Sequence, residues 1–216
     1  MPCRGRGRRS GAASRPPSGS VGICDQPSRR HSEASSRTGG PVIGAVVLAA
    51  GASTRFGAPK QRVLLPQVLH RLSEARSLAE VVVVLGAHEV DTPARTVTCA
   101  TWERGPGASL RCGLAALSAE ARAAVVVLAD GPELAPAAVE RIVDLWRAGG
   151  GEILAAGYGG RRGHPVLLAR RVWDTIPDEG ARALPARLIP CDDLGSPGDV
   201  DVREDLPPEL RVSAPE

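Results

Sequence analysis

The chain has no Asn, a single Lys and only 2% aromatic residues. So few rings exclude the stacking platforms that hold single-stranded nucleic acid. No apolar run approaches the ~20 residues needed to span a bilayer. The N-terminal segment lacks the apolar stretch of about 7–15 residues that marks a secretory signal. The five Cys residues (Cys3, Cys24, Cys99, Cys112, Cys191) are odd in number and form no CxxC pair, and no HExxH is present. This pattern predicts free thiols in a reducing, cytoplasmic setting rather than a disulfide framework or a zinc site.

What is present is mostly foldable. A chain of 216 residues with 43% hydrophobic and 24% charged residues suits one α/β domain and is short for two. The net charge of +3 suggests an acidic partner until it is placed. Eight Arg lie in residues 1–40 against Asp25 and Glu33, so that segment carries +6 and the remainder −3. Residues 1–40 are also rich in Ser, Gly and Pro and nearly empty of large apolar side chains. They cannot bury enough surface to offset ordering and are read as a disordered tail, with a nucleic-acid-binding arm as the alternative. Residues 41–212 form the expected domain.

Within it, Val42–Ala50 is a continuous apolar run of strand length, and Val81–Leu85 and Ala124–Ala129 are two more. Helix-compatible stretches follow at Pro66–Ala79, Ala108–Ala121 and Ala137–Arg147. In the last, Val139, Ile142, Val143 and Trp146 share one face. Shorter strands are expected at Glu152–Ala156 and Pro165–Leu168, with a small helix near Arg171–Ile176. The alternation predicts a Rossmann-like three-layer α/β/α domain with a mostly parallel sheet.

The residues after the first strand carry the chemistry: Leu48-Ala49-Ala50-Gly51-Ala52-Ser53-Thr54-Arg55-Phe56-Gly57-Ala58-Pro59-Lys60. A buried strand ends in small residues, and a hydroxyl pair and two cations follow. Small side chains let backbone N–H groups approach a phosphate, and Arg55 and Lys60 supply charge for a polyphosphate. Neither common phosphate loop fits. Gln61 stands where GxxxxGK[ST] needs Ser or Thr, and Gly51 and Gly57 have no middle Gly for GxGxxG. The plain structural alternative is a tight connection with solvated cations. Since Arg is otherwise this chain's only cation, Lys60 marks a place where a compact point charge is used.

This string resembles LAAGxSxRxGxxK, the signature of MobA-like nucleotidyltransferases, and within them it is most similar to molybdenum-cofactor cytidylyltransferases. Further segments resemble the family in order. Val81–Gly86 looks like its second strand, and Gly105 with Ser109–Leu114 like GxxxSLxxGL. Leu128–Pro132 looks like LxDxP, Gly163–Leu167 like GxPxL, Asp178–Arg182 like DxGAR, and Asp199–Leu206 like DxDTPEDL. The resemblance implies a fold of the nucleotide-diphospho-sugar transferase type. It also implies Mg²⁺-dependent transfer from an NTP, with CTP indicated, to a phosphorylated acceptor, with molybdopterin indicated, and release of pyrophosphate. A molybdoenzyme receiving the cofactor is an implied partner; nucleic acid and membrane are not.

By the same resemblance, Leu48, Ala49, Ala50, Gly51 and Ser53 face the nucleotide, while Arg55 and Lys60 hold its phosphates and act in catalysis. Ser109 and Leu110 lie near the base, and Asp130 with Asp201 (or Asp199) binds the metal. Bland readings stand beside these: Asp130 as a turn or cap, Asp201 as a solvated carboxylate, Ser109 as a helix-lining residue, His164 as a structural loop residue. Three departures bear on specificity: a shortened stretch between Lys60 and Val81, Gly131 in place of Gln, and Val202-Arg203 in place of Thr-Pro. Guanylyl transfer to molybdopterin or to a phospholactate-type acceptor remains an alternative, as does a non-catalytic nucleotide-binding accessory protein. The short spacing from Arg55 to Lys60 counts against methylerythritol-phosphate cytidylyl transfer.

Overall fold

A strand whose two faces are both covered must be apolar throughout, and that is how the centre of this protein is built. The structure, a computed structural model, describes residues 40–211. The expected tail thus lies outside the described residues, Gly40 excepted. Seven strands form one sheet: β1 (Ile43–Ala49), β2 (Glu80–Leu85), β3 (Arg95–Thr98), β4 (Ala123–Leu128), β5 (Ile153–Tyr158), β6 (Arg161–Ala169) and β7 (Arg187–Pro190). Their spatial order is β3-β2-β1-β4-β6-β5-β7, and only β6 runs against the rest. Helices α1 (Gln61–Ser73) and α3 (Pro136–Arg147) cover one face, and α2 (Pro106–Ala116) covers the other with a 3₁₀ segment at Arg170–Thr175. This is the expected Rossmann-like three-layer architecture.

The alternation along β1 shows why. Ala45 and Val47 pack with Leu65, Val68 and Leu72 of α1, whereas Val46 packs with Leu110 and Leu114 of α2. On α3, Val139, Ile142 and Val143 are fully buried, the face read from their spacing. Gly113 lets α2 approach the sheet, since a Cβ there would collide with Val46 and Val84. Among the described residues no helix is long and apolar enough to cross a membrane.

The differences from expectation have local causes. α1 begins five residues before Pro66, because Arg62 and Leu64 donate to the carbonyls of Pro59 and Lys60. Proline is therefore carried inside a helix already nucleated, not at its start. β3 and β7 were not expected at all. Both are four-residue edge strands with mostly exposed positions, so no apolar run announces them. β3 also overturns the reading of the cysteines. Its end brings Cys99 against α2, where it is disulfide-bonded to Cys112, while Cys191 is a free, buried thiol.

Candidate functional site

From β1 the chain winds outward to β2 and β3, then returns to place β4 on β1's other flank. The order therefore reverses between β1 and β4, where open α/β sheets take ligands at the carboxyl ends of their strands. Leu48 is in register with Leu128, and the Ala129 N–H donates to the Leu48 carbonyl at 3.0 Å. The loop carrying Arg55 and Lys60 and the turn carrying Asp130 consequently leave the sheet side by side.

The first loop is held open by a residue that sequence reasoning passed over. Gln61, only 3% exposed, donates from Nε2 to the Gly51 carbonyl (2.7 Å) and accepts from Ser53 Oγ (3.0 Å). Ser53 sits at φ 53°, a conformation its neighbours must stabilise, and its carbonyl accepts the Phe56 N–H. Phe56 is buried with Leu64, Val200 and Leu206, which ties the loop to α1 and to the C-terminal segment. The signal for Gln61 was its place after Lys60, where a common phosphate loop has a hydroxyl.

Charge gathers at the mouth. Lys60 Nζ donates to the Val200 carbonyl at 2.7 Å and pairs with Asp130 Oδ2 at 2.9 Å and Asp201 Oδ1 at 3.5 Å. Arg55 Nη1 meets Asp201 Oδ2 at 2.7 Å. Asp201 is delivered by a strap that crosses the end of β4: the Val200 N–H donates to the Asp130 carbonyl and the Glu133 N–H to that of Pro197. Gly131 leaves room for it, since a Cβ there would press on Pro197 at 3.1 Å. Asp199, on the same strap, has its carboxyl raised above the usual range by burial and then by the charges of Asp130 and Asp201. A cleft of about 230 Å³ opens over these groups, lined also by Leu48, Ala49, Gly51, Ser53 and Gln61.

The donor set fits a hard divalent cation. Asp130 Oδ1 is buried without a hydrogen-bond partner among the described residues, and such an orphaned carboxylate oxygen calls for a cation. Three or more His, Cys, Asp or Glu side chains do not gather as a ready-made metal cage among the described residues. Asp130 and Asp201 would thus supply one or two carboxylates and leave the other positions to phosphate oxygens and water, the usual arrangement for Mg²⁺.

A second cavity, about 330 Å³, adjoins the first across Leu48. Its floor is apolar (Leu110, Val126, Leu128, Val166), and its rim carries His164, Glu179 and Arg182. Arg104 and Arg111 both bind Asp178 and hold its carboxyl below the usual range, Arg111 foremost. They anchor the 178–182 turn to α2, which also donates its Gly107 N–H to the Asp178 carbonyl. Arg162 is spent on the Leu184 and Ala181 carbonyls, and its pKa is lowered by burial.

His164 is half-buried at this rim. Burial pushes its imidazole down to about 4 from 6.5, with Asp130 opposing and Arg162 assisting. The unfolded chain therefore takes up this proton first, and stability falls as pH drops from 6.5 towards 4. The loss reaches on the order of 3 kcal/mol below that window. Urea unfolding across pH 7 to 4 should show this slope in the wild type and a flatter one in His164→Gln.

Of the residues expected to form the site, Leu48, Ala49, Gly51, Ser53, Arg55, Lys60, Asp130 and Asp201 all line the first cleft. Leu110 lines the second cavity beside Leu48. Two lie elsewhere. Ala50 is buried, with its carbonyl occupied by the Ala87 N–H, and Ser109 is buried within α2 and lines neither cavity.

Comparison with known proteins places these features. Residues 45–188 match the MobA-like NTP transferase domain. The Rv0371c protein of Mycobacterium tuberculosis H37Rv is 31% identical, with a TM-score of 0.64 over 76% of this chain and 95% of that one. A structure of Rv0371c in complex with manganese aligns at 28% identity and TM-score 0.59, covering 76% and 95%. The 4-diphosphocytidyl-2C-methyl-D-erythritol synthase of Anaerococcus prevotii shares the fold at 12% identity, TM-score 0.58, covering 76% and 94%. A search among curated proteins found no match.

Proposed function

Because the chain belongs to the MobA-like NTP transferase family, we propose that it transfers a cytidylyl group from CTP to a phosphorylated acceptor, molybdopterin. Pyrophosphate is released, and a molybdoenzyme is the destination of the product. The observation that carries this reading is the cleft at the β1/β4 switch point, where Lys60 and Arg55 face Asp130 and Asp201. An oxygen of the acceptor phosphate attacks the α-phosphorus of the nucleotide, and the bond to the pyrophosphate oxygen breaks. The acceptor is its own nucleophile, so the protein needs only to align the two phosphates and stabilise charge.

Each residue has a task on this reading. The small residues Ala49 and Gly51 let the nucleotide approach the backbone. Gln61 fixes the loop so that Arg55 and Lys60 project over the phosphates. Lys60 offsets the charge that builds on the attacked phosphoryl group. Asp130 and Asp201 would hold Mg²⁺, which would supply positive charge to offset that of the phosphates. A relative's complex with manganese supports divalent-metal dependence. The second cavity, apolar on its floor and open to Leu48, takes the acceptor's ring system.

Pyrophosphate release measured with each of the four NTPs, with and without molybdopterin, tests the proposal. CTP with both molybdopterin and Mg²⁺ is expected to give turnover, and omission of any one to abolish it. Nucleotide binding without turnover on any NTP would sink the enzymatic reading.

A further inference from the structure

Every cation offered to the phosphates is already engaged by a carboxylate of this chain. Lys60 is held between Asp130 Oδ2 (2.9 Å) and Asp201 Oδ1 (3.5 Å) and is tied to the Val200 carbonyl. Arg55 is held by Asp201 Oδ2 at 2.7 Å. Asp201 is the member common to both pairs, and the two cations are matched by two carboxylates, with Asp199 adding a third nearby. A bare triphosphate, with about four negative charges, thus meets no net attraction. To reach either cation it must displace a carboxylate and then lie against it, and like charges brought together in a partly desolvated cleft oppose binding.

We infer that Asp201 is a specificity-determining residue that makes the cleft accept nucleotide only together with a divalent cation, Lys60 and Arg55 being released to the phosphates when that cation takes over their carboxylates. The inference rests on the proposed nucleotidyltransferase reading and extends it. Lys60 acts as a resident counter-ion for the carboxylates, 14% exposed and with its Nζ anchored, in the place where the metal's charge is needed. The unpartnered Asp130 Oδ1 shows that this substitution is incomplete: one ammonium covers one oxygen of that carboxylate and leaves the other bare. The arrangement is therefore balanced for exchange. Both cations are compensated without nucleotide, and both would become free for the phosphates when a metal–nucleotide complex binds. The strap that carries Asp201 is anchored at Val200, so the carboxylate is presented at a fixed position and does not depend on an exposed side chain's chance placement.

The test is equilibrium binding of CTP, by calorimetry, in Mg²⁺ buffer and in EDTA. Wild type is expected to bind CTP at least about 30-fold more tightly with Mg²⁺ than without, as the loss of one or two close charge pairs implies. Asp201→Asn is expected to tighten metal-free binding about tenfold or more, shrinking the ratio between the two conditions, and Asp201→Glu to restore it. A role of Asp201 in holding the strap would weaken both conditions alike and leave the ratio unchanged. Should Asp201→Asn fail to fold by circular dichroism, Arg55→Gln provides the second measurement. It removes one of the two captive cations and leaves Asp201 less compensated, so it should weaken metal-free CTP binding further and widen the ratio between the two conditions. The inference is overturned if wild type binds metal-free CTP as tightly as the Mg²⁺ complex. It is equally overturned if the ratio is the same in Asp201→Asn. Failure to bind CTP or any other NTP even with Mg²⁺ would instead overturn the nucleotidyltransferase reading itself.

Discussion

Lys60→Ala is expected to lower CTP-dependent pyrophosphate release by about 10³-fold, a typical effect of removing one charge-stabilising group from a transfer site. The size follows from geometry. Lys60 is the residue directly before α1, and its ammonium is held within the cleft, not in bulk water. The Val200 carbonyl anchors its ammonium independently of the carboxylates, so little ordering is needed at the moment of reaction. Lys60→Arg should recover little, because the guanidinium is larger and planar and cannot occupy a pocket shaped around a point charge. The contrast with Arg55 is instructive. Arg55 is 72% exposed on its side chain, so Arg55→Ala should raise KM more than it lowers kcat and cost much less overall. Steady-state kinetics on the three variants decide the matter, and a fully active Lys60→Ala would remove Lys60 from the mechanism.

How much of this could be read from residues alone depends on how local each feature is. β1, β2 and β4 were legible because strands buried on both faces must be continuous apolar runs, and the loop after β1 was legible because its two cations lie within thirteen residues of the strand's last turn. Asp130 stands at the end of such a run, so its place beside the loop follows once β1 and β4 are neighbours. Relations that span the chain were not legible. That Asp201 would clasp both Lys60 and Arg55 depends on a strap that meets the loop about 140 residues later in sequence, as the Lys60–Val200 bond shows. Gln61 is read from sequence only as the residue that breaks a common phosphate-loop pattern, and only the curl of the loop makes its amide a staple. Edge strands β3 and β7 carry no apolar signature, and without β3 the approach of Cys99 to Cys112 could not be seen. Ser109 is a different case. The motif suggests a place near the base, and the structure has it buried within α2 and lining neither cavity.

Asp130→Ala should abolish Mg²⁺-dependent turnover, by at least about 10³-fold, while leaving the fold as stable as before to within about 1 kcal/mol. The two halves of this expectation come from the same carboxylate. Its Oδ2 pairs with Lys60, but Lys60 keeps Asp201 and the Val200 carbonyl when that partner is removed, so no charge is stranded. Its Oδ1 is buried and unpartnered, and an unmet acceptor of this kind costs roughly 1–3 kcal/mol in the folded state. Deleting the side chain thus loses one ion pair and relieves one unsatisfied oxygen, and the two nearly offset. The backbone carbonyl of residue 130, which receives the Val200 N–H, is untouched, so the strap stays in place. A helix cap or turn residue behaves differently: its loss lowers stability by about 0.5–2 kcal/mol and has no direct claim on the chemistry. Thermal unfolding in EDTA together with pyrophosphate release in Mg²⁺ separates the two roles in one variant. Retained activity with a lowered Tm would make Asp130 a turn residue. Lost activity with an unchanged or raised Tm is the signature of a carboxylate kept for a cation at a cost to the fold.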